Sequence, residues 1–143
     1  MSFSHILVAY DGGLPSVRAL DRAVEMAQHF PSAQLTVVHV YSTAAVAVAD
    51  SIVTVPSSVQ RQQMHEAQEM LKDAEAKIAQ LPAARAVLLE GSSGESIIRY
   101  ANEQGIDLIV MGSRGLGGIR EFVMGSISHY MLQHAAMPLL IVK

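Results

Sequence analysis

The sequence predicts an α/β fold, a single-domain doubly wound five-stranded parallel sheet with helices on both faces. Three observations carry that expectation. Short β-branched runs alternate with amphipathic stretches along 143 residues. Half of the residues are hydrophobic and only 16% are charged, as expected of strands covered on both faces. Two of the runs stop abruptly, at Tyr10-Asp11 and at Met111-Gly112, and folds of this class keep their ligands beyond the carboxyl ends of such strands. The length is that of one domain spanning 1–143.

The run from His5 to Tyr10 is the first strand, stopped by the breaker cluster Asp11-Gly12-Gly13. Pro15 opens a helix whose apolar positions Val17, Leu20, Val24 and Ala27 recur at steps of three and four, and Phe30-Pro31 closes it. Gln34 to Tyr41 is the second strand. Thr43 to Val55 is apolar but interrupted by Asp50 and ended by Pro56, and reads as a mobile or partly helical loop. Ser57 or Ser58 is the expected cap of a long helix with the stripe Met64, Ala67, Leu71, Ala74, Ile78 and Leu81. That stripe is too short and too rich in alanine for a coiled coil, so it should lie on the sheet. Arg85 to Glu90 is the third strand. Ser92 and Glu95 have the spacing of a capping box ahead of Ile97, Ile98 and Ala101, and Gly105 ends that helix. Asp107 to Met111 is the fourth strand, and Pro138 to Val142 the last. Connections of this kind are right-handed crossovers between parallel strands.

Composition removes several function classes. The net charge is −3 with no block of Lys or Arg, so neither nucleic acid nor an anionic membrane is an expected partner. Cysteine is absent, which excludes disulfides, thiolate zinc sites and cysteine nucleophiles. His65-Glu66 lacks the second histidine of a zinc-protease helix, and no other histidines have ligand spacing, so no metal held by protein side chains is expected. Met1 to His5 has no basic stretch before an apolar run, and no segment reaches membrane-helix length; a cytoplasmic location is the expectation.

The chemistry-bearing segment begins at Met111. Four glycines fall within 112–118, and a fifth stands at 125, followed by Ser126. Glycine permits positive φ and lets a ligand approach main-chain N–H groups. A generic glycine cluster is more often a plain turn, but this one follows a strand and precedes a helix of about 126–135, whose free N–H groups and dipole favour an anion. No Gly-Lys-Ser/Thr follows, and Arg120 occupies the third-glycine position of Gly-x-Gly-x-x-Gly, so the P-loop and dinucleotide fingerprints are excluded.

Gly112-x-x-Gly115, nine residues, then Gly125-Ser126 resembles the ATP-binding motif of the universal stress protein family. The resemblance covers the whole chain. The opening Ile6-Leu-Val-Ala-Tyr-Asp11, the strand ending His39-Val40, the Asp107 to Gly115 run and the Pro138 to Val142 ending are similar to that family, in order. The resemblance implies strand order 3-2-1-4-5 and ATP, with Mg2+ or Mn2+ bound through the phosphates. By matching positions it implies that adenine and ribose meet Ala9, Asp11, Val40, Met111 and Gly112, with Ser113 and Gly115 nearby. The phosphates would meet Gly125, Ser126, Ile127 and Ser128. Asp11 would touch a ribose hydroxyl or a phosphate-bound metal, while from the residues alone a turn or cap aspartate is an equal reading. Gly13 replaces the serine, and His129 the glutamate, that many relatives carry; losing that glutamate removes one negative charge from the phosphate end.

The expected function is an ATP-binding regulatory or stress-response factor that works through an unknown protein partner. It is expected as a homodimer paired through the exposed edge strand 138–142. The alternatives are a slow ATPase or phosphoryl or nucleotidyl transferase, for which no catalytic lysine, arginine finger or water-activating base stands out, and a dimeric scaffold without nucleotide.

Overall fold

Aliphatic side chains fill the central strands and alternate between two cores. In β1 (His5–Ala9), Ile6 and Val8 join one core and Leu7 the other. A computed structural model describes residues 2–42, 46–48, 51–53, 56–114 and 125–143. The remaining elements are α1 (Leu14–His29), β2 (Gln34–Tyr41), β3 (Val46–Val48), β4 (Ser51–Val53), α2 (Ser57–Ile78), β5 (Ala84–Glu90), α3 (Ser93–Glu103), β6 (Leu108–Gly112), α4 (Ser126–His134) and β7 (Leu139–Val142).

Five strands form one sheet in the order β5-β2-β1-β6-β7, with every neighbouring pair parallel. Counting only these strands along the chain, the order is 3-2-1-4-5. Leu20 of α1 and Leu71 of α2 pack with Val8, Val37 and Val110 on one face. On the other face Ile97 of α3 and Met131 of α4 pack with Leu7, Val38 and Ile109. Among the described residues no helix is long and apolar enough to cross a membrane.

Several local expectations need correction. Within 43–55, β3 and β4 pair antiparallel in place of a partly helical loop, in keeping with the β-branched Val46, Val48, Ile52 and Val53. Pro56, not a serine, is the N-cap of α2, because its extended backbone turns its carbonyl onto the Val59 and Gln60 amides at 3.0 Å; Ser57 and Ser58 are already helical. Ala67, Leu71, Ala74 and Ile78 are buried, but Met64 is exposed and Leu81 lies beyond the helix end. Ser92 does cap α3, without the side-chain bond of a capping box. Gly105 (φ 67°) closes α3, with the Ile106 amide donating to the Ala101 carbonyl at 2.9 Å, the reach-back bond that a left-handed residue allows. Asp107 and Pro138 sit one residue outside their strands, and Gly112 is inside β6.

Candidate functional site

A cavity of about 480 Å³ opens at the carboxyl ends of β1, β2 and β6. Register builds its floor. Val38, Ala9 and Met111 stand in one row across three strands, and all three side chains belong to the α3/α4 side. Ile97 of α3 adds to this apolar wall.

The β1 to α1 turn forms the polar rim. Asp11 Oδ1 accepts from the Gly13 amide and from the Ser16 hydroxyl, each at 2.8 Å. Gly12 adopts φ 82°, and the Met70 side chain lies 3.4 Å from where its Cβ would be. Asp11 is therefore a turn-forming aspartate, and it also lines the cavity. Tyr10, buried beside it, has its phenol pushed above the ordinary value, by burial first and then by the negative charge of Asp73.

The α4 N-terminus forms the opposite rim. Its N-cap is Gly125 (φ −63°), no side chain caps it, and the first intrahelical bond runs from the His129 amide to the Gly125 carbonyl at 3.0 Å. The amides of Ser126, Ile127 and Ser128 thus have no acceptor among the described residues. These residues line the cavity together with Gly125 and Arg114. An anion is the natural complement of three such donors at the positive end of a helix dipole.

Three sequence-level assignments take a different physical form. Gly112 is needed for packing: a Cβ there would meet the Pro15 carbonyl carbon at 2.7 Å and the Ser16 amide nitrogen at 2.8 Å, so its absence lets α1 sit against β6. The buried Ser128 hydroxyl donates to the Gly112 carbonyl at 2.8 Å, so its proton is committed inside the protein and only its amide faces a ligand. Ser113 does not line the cavity; its amide donates to Val142 and its carbonyl accepts from Gly125 at 2.7 Å, clipping the two described ends of the glycine-rich segment together. Gly115 lies outside the described residues, as does Arg120.

Ala9, Asp11, Val40, Met111, Gly112 and the 125–128 segment all reach the cavity. Sequence reasoning missed Val38, His39, Met70 and Ser93, which also line it. The register of β2 against β1 would have found the first two. Nothing in the local pattern of α2 or α3 announces the others.

The universal stress protein family model matches residues 2–143. Universal stress protein YxiE of Bacillus subtilis is 35% identical over 148 residues, covering 99% of each chain. The solved structure of universal stress protein UspA from Lactobacillus plantarum superposes with a TM-score of 0.84 at 23% identity, over 100% of this chain and 99% of that one. A universal stress protein solved in complex with cAMP gives a TM-score of 0.73 at 23% identity, over 100% and 99% of the two chains. The protein from Archaeoglobus fulgidus solved in complex with dAMP gives 0.71 at 24%, over 100% of both.

Proposed function

The chain belongs to the universal stress protein family, and on that premise we propose that its cavity binds an adenine nucleotide, ATP carrying Mg2+ or Mn2+ on its phosphates. Binding makes the protein a nucleotide-dependent regulatory or stress-response factor in the cytoplasm, read by a protein partner. The observation that carries this reading is the pairing of two unlike walls in one cavity. An apolar row of Val38, Ala9 and Met111 suits a purine, and the three uncapped amides of α4 suit phosphate. The fold relatives solved with cAMP and dAMP support adenine nucleotides as the ligand class. Three consecutive amides with Arg114 alongside provide for more than one phosphate, which favours ATP over a monophosphate. Among the described residues no cluster of three or more His, Asp or Glu exists to hold a metal, so the cation rides on the phosphates, with Asp11 the acidic residue of the cavity.

Nucleotide extraction from freshly purified protein, followed by calorimetry with ATP and GTP in the presence of Mg2+, tests this. The expected outcome is ATP in the extract and a dissociation constant of about micromolar, with GTP weaker. ADP alone in the extract would point to turnover. Equal heats for both nucleotides, or none, would overturn the reading.

The same premise extends to a homodimer through 138–142. β7 is an edge of the sheet, paired only with β6 among the described strands, and Leu140 within it and Leu132 on α4 are 38% and 53% exposed. Light scattering should find a dimer that Leu140→Lys converts to monomer. A monomeric parent protein at micromolar concentration would refute it.

A further inference from the structure

His39 stands on β2 beside Val40, in register with Leu88 of the α1/α2 core, so it faces away from the apolar row. Its ring reaches over the carboxyl end of β1, where Nδ1 lies 2.8 Å from the Tyr10 carbonyl oxygen. A carbonyl oxygen only accepts. Nδ1 therefore carries the proton, and in the neutral ring Nε2 is left as a bare acceptor. Nε2 has no hydrogen-bond partner among the described residues, yet it is not among the buried atoms that lack one; the ring is half-buried and lines the cavity. Its lone pair is thus open to whatever fills that space.

Three of the other polar side chains of the cavity are differently engaged. Asp11 Oδ1 takes two donors from its own turn, and the Ser16 and Ser128 hydroxyls donate to protein oxygens. Strand order then fixes which part of a ligand His39 meets. Phosphates at the α4 N-terminus lie on the β6 side, and β2 is two strand steps from β6, about 10 Å at about 4.8 Å per step. A nucleotide spanning that distance has its ribose and base over β1 and β2. Those moieties offer two kinds of donor, the 6-amino group of adenine and the ribose hydroxyls. Guanine presents an oxygen acceptor at position 6, which an unprotonated Nε2 disfavours.

We propose that His39 is a specificity-determining residue of the cavity, its Nε2 accepting a hydrogen bond from the nucleoside half of the nucleotide. The proposal rests on the nucleotide reading above, and its test separates the two. Calorimetric titrations compare ATP, purine riboside triphosphate (no 6-amino group) and 2′-deoxy-ATP on the parent protein and on His39→Asn. Asparagine retains a short amide N–H for the Tyr10 carbonyl and has no atom at the Nε2 position.

The expected parent protein loses about tenfold in affinity for one analogue, and His39→Asn binds that analogue and ATP alike. A penalty confined to the purine analogue assigns the bond to the 6-amino group; one confined to the deoxy analogue assigns it to the ribose 2′-hydroxyl. No penalty in the parent, or penalties unchanged in His39→Asn, overturns the proposal while leaving nucleotide binding intact. A parent protein that binds none of the three nucleotides overturns the nucleotide reading itself. Should thermal melts show that His39→Asn does not fold, 15N NMR of the parent decides. The His39 Nε2 resonance must move on adding ATP and move less with the analogue that lacks the donor; a resonance indifferent to ATP overturns the proposal.

Discussion

At the amino end of the central strands, Asp107 accepts from the Ser4 amide and hydroxyl, each at 2.8 Å, and from the His5 amide at 3.0 Å, joining residues more than 100 positions apart. At the carboxyl end, the bonds of Asp11 to Gly13 and Ser16 span two and five positions. The first aspartate ties β1 to the start of β6. The second shapes a turn and leaves the space beside it open. Long-range bonds at one end hold the strands in register, so that local bonds at the other suffice to keep a cavity. Stability should therefore respond to both ends, and ligand binding only to one.

The largest expected effect breaks the carboxyl end by force. Gly112→Val places a branched side chain where even a Cβ would lie 2.7 Å from the Pro15 main chain, and should cost about 3 kcal/mol of stability. Chemical denaturation reads it directly; an unchanged midpoint would mean that α1 does not rest on β6 as described. Next comes Asp107→Ala. Two amides and a hydroxyl lose their acceptor at a half-exposed site where water replaces part of it, for about 2 kcal/mol.

Acid should loosen the amino end in two stages. Burial lowers the pKa of His5 below its ordinary 6.5; the Gln104 carbonyl opposes this, and the Arg85 charge adds to it. For Asp107 burial acts upward, yet the bonds from Ser4 and His5 outweigh it and hold the carboxyl below its ordinary 3.8. Both folded values lie below the unfolded ones, so each contribution to stability is fully present above the ordinary value and is lost as pH falls through the folded value. The melting temperature should begin to fall below pH 6.5 and fall again below pH 3.8. Asp107→Asn should abolish the second stage and, by removing the carboxylate charge that raises the His5 pKa, deepen the first. A profile flat from pH 7 to pH 3 would contradict the assignment of both groups.

Much of this was legible in the chain. The short β-rich run His5–Ala9, stopped by its breakers, and the three- and four-residue steps through Leu20 and Ala27 specify a strand and a helix from local pattern. Breakers such as Asp11-Gly12-Gly13 and Gly105 mark ends through backbone preferences that are equally local. What stayed hidden is what depends on approach between distant segments. Met70 reaches the cavity only because α2 crosses above Gly12, and Gly112 is required by Pro15, far away in sequence. The inward turn of the Ser128 hydroxyl likewise depends on where β6 ends relative to α4. The short β3–β4 pair was masked by an apolar stretch whose helix and strand periodicities are not distinct over three residues.

The smallest expected change in stability belongs to Asp11→Ala, about 1 kcal/mol for a solvent-reachable turn bond, and this makes it the cleanest probe of the contrast between the two ends. ATP titrations with Mg2+, run side by side on the parent protein, Asp11→Ala and Asp107→Ala at a temperature where all three are folded, test the central claim. Asp11→Ala should weaken ATP by about tenfold or more, because the polar rim of the cavity loses its charge and its turn, while Asp107→Ala should bind ATP as the parent does. Equal affinities for parent and Asp11→Ala, or a comparable loss in Asp107→Ala, would contradict the division of labour between the two ends of the sheet.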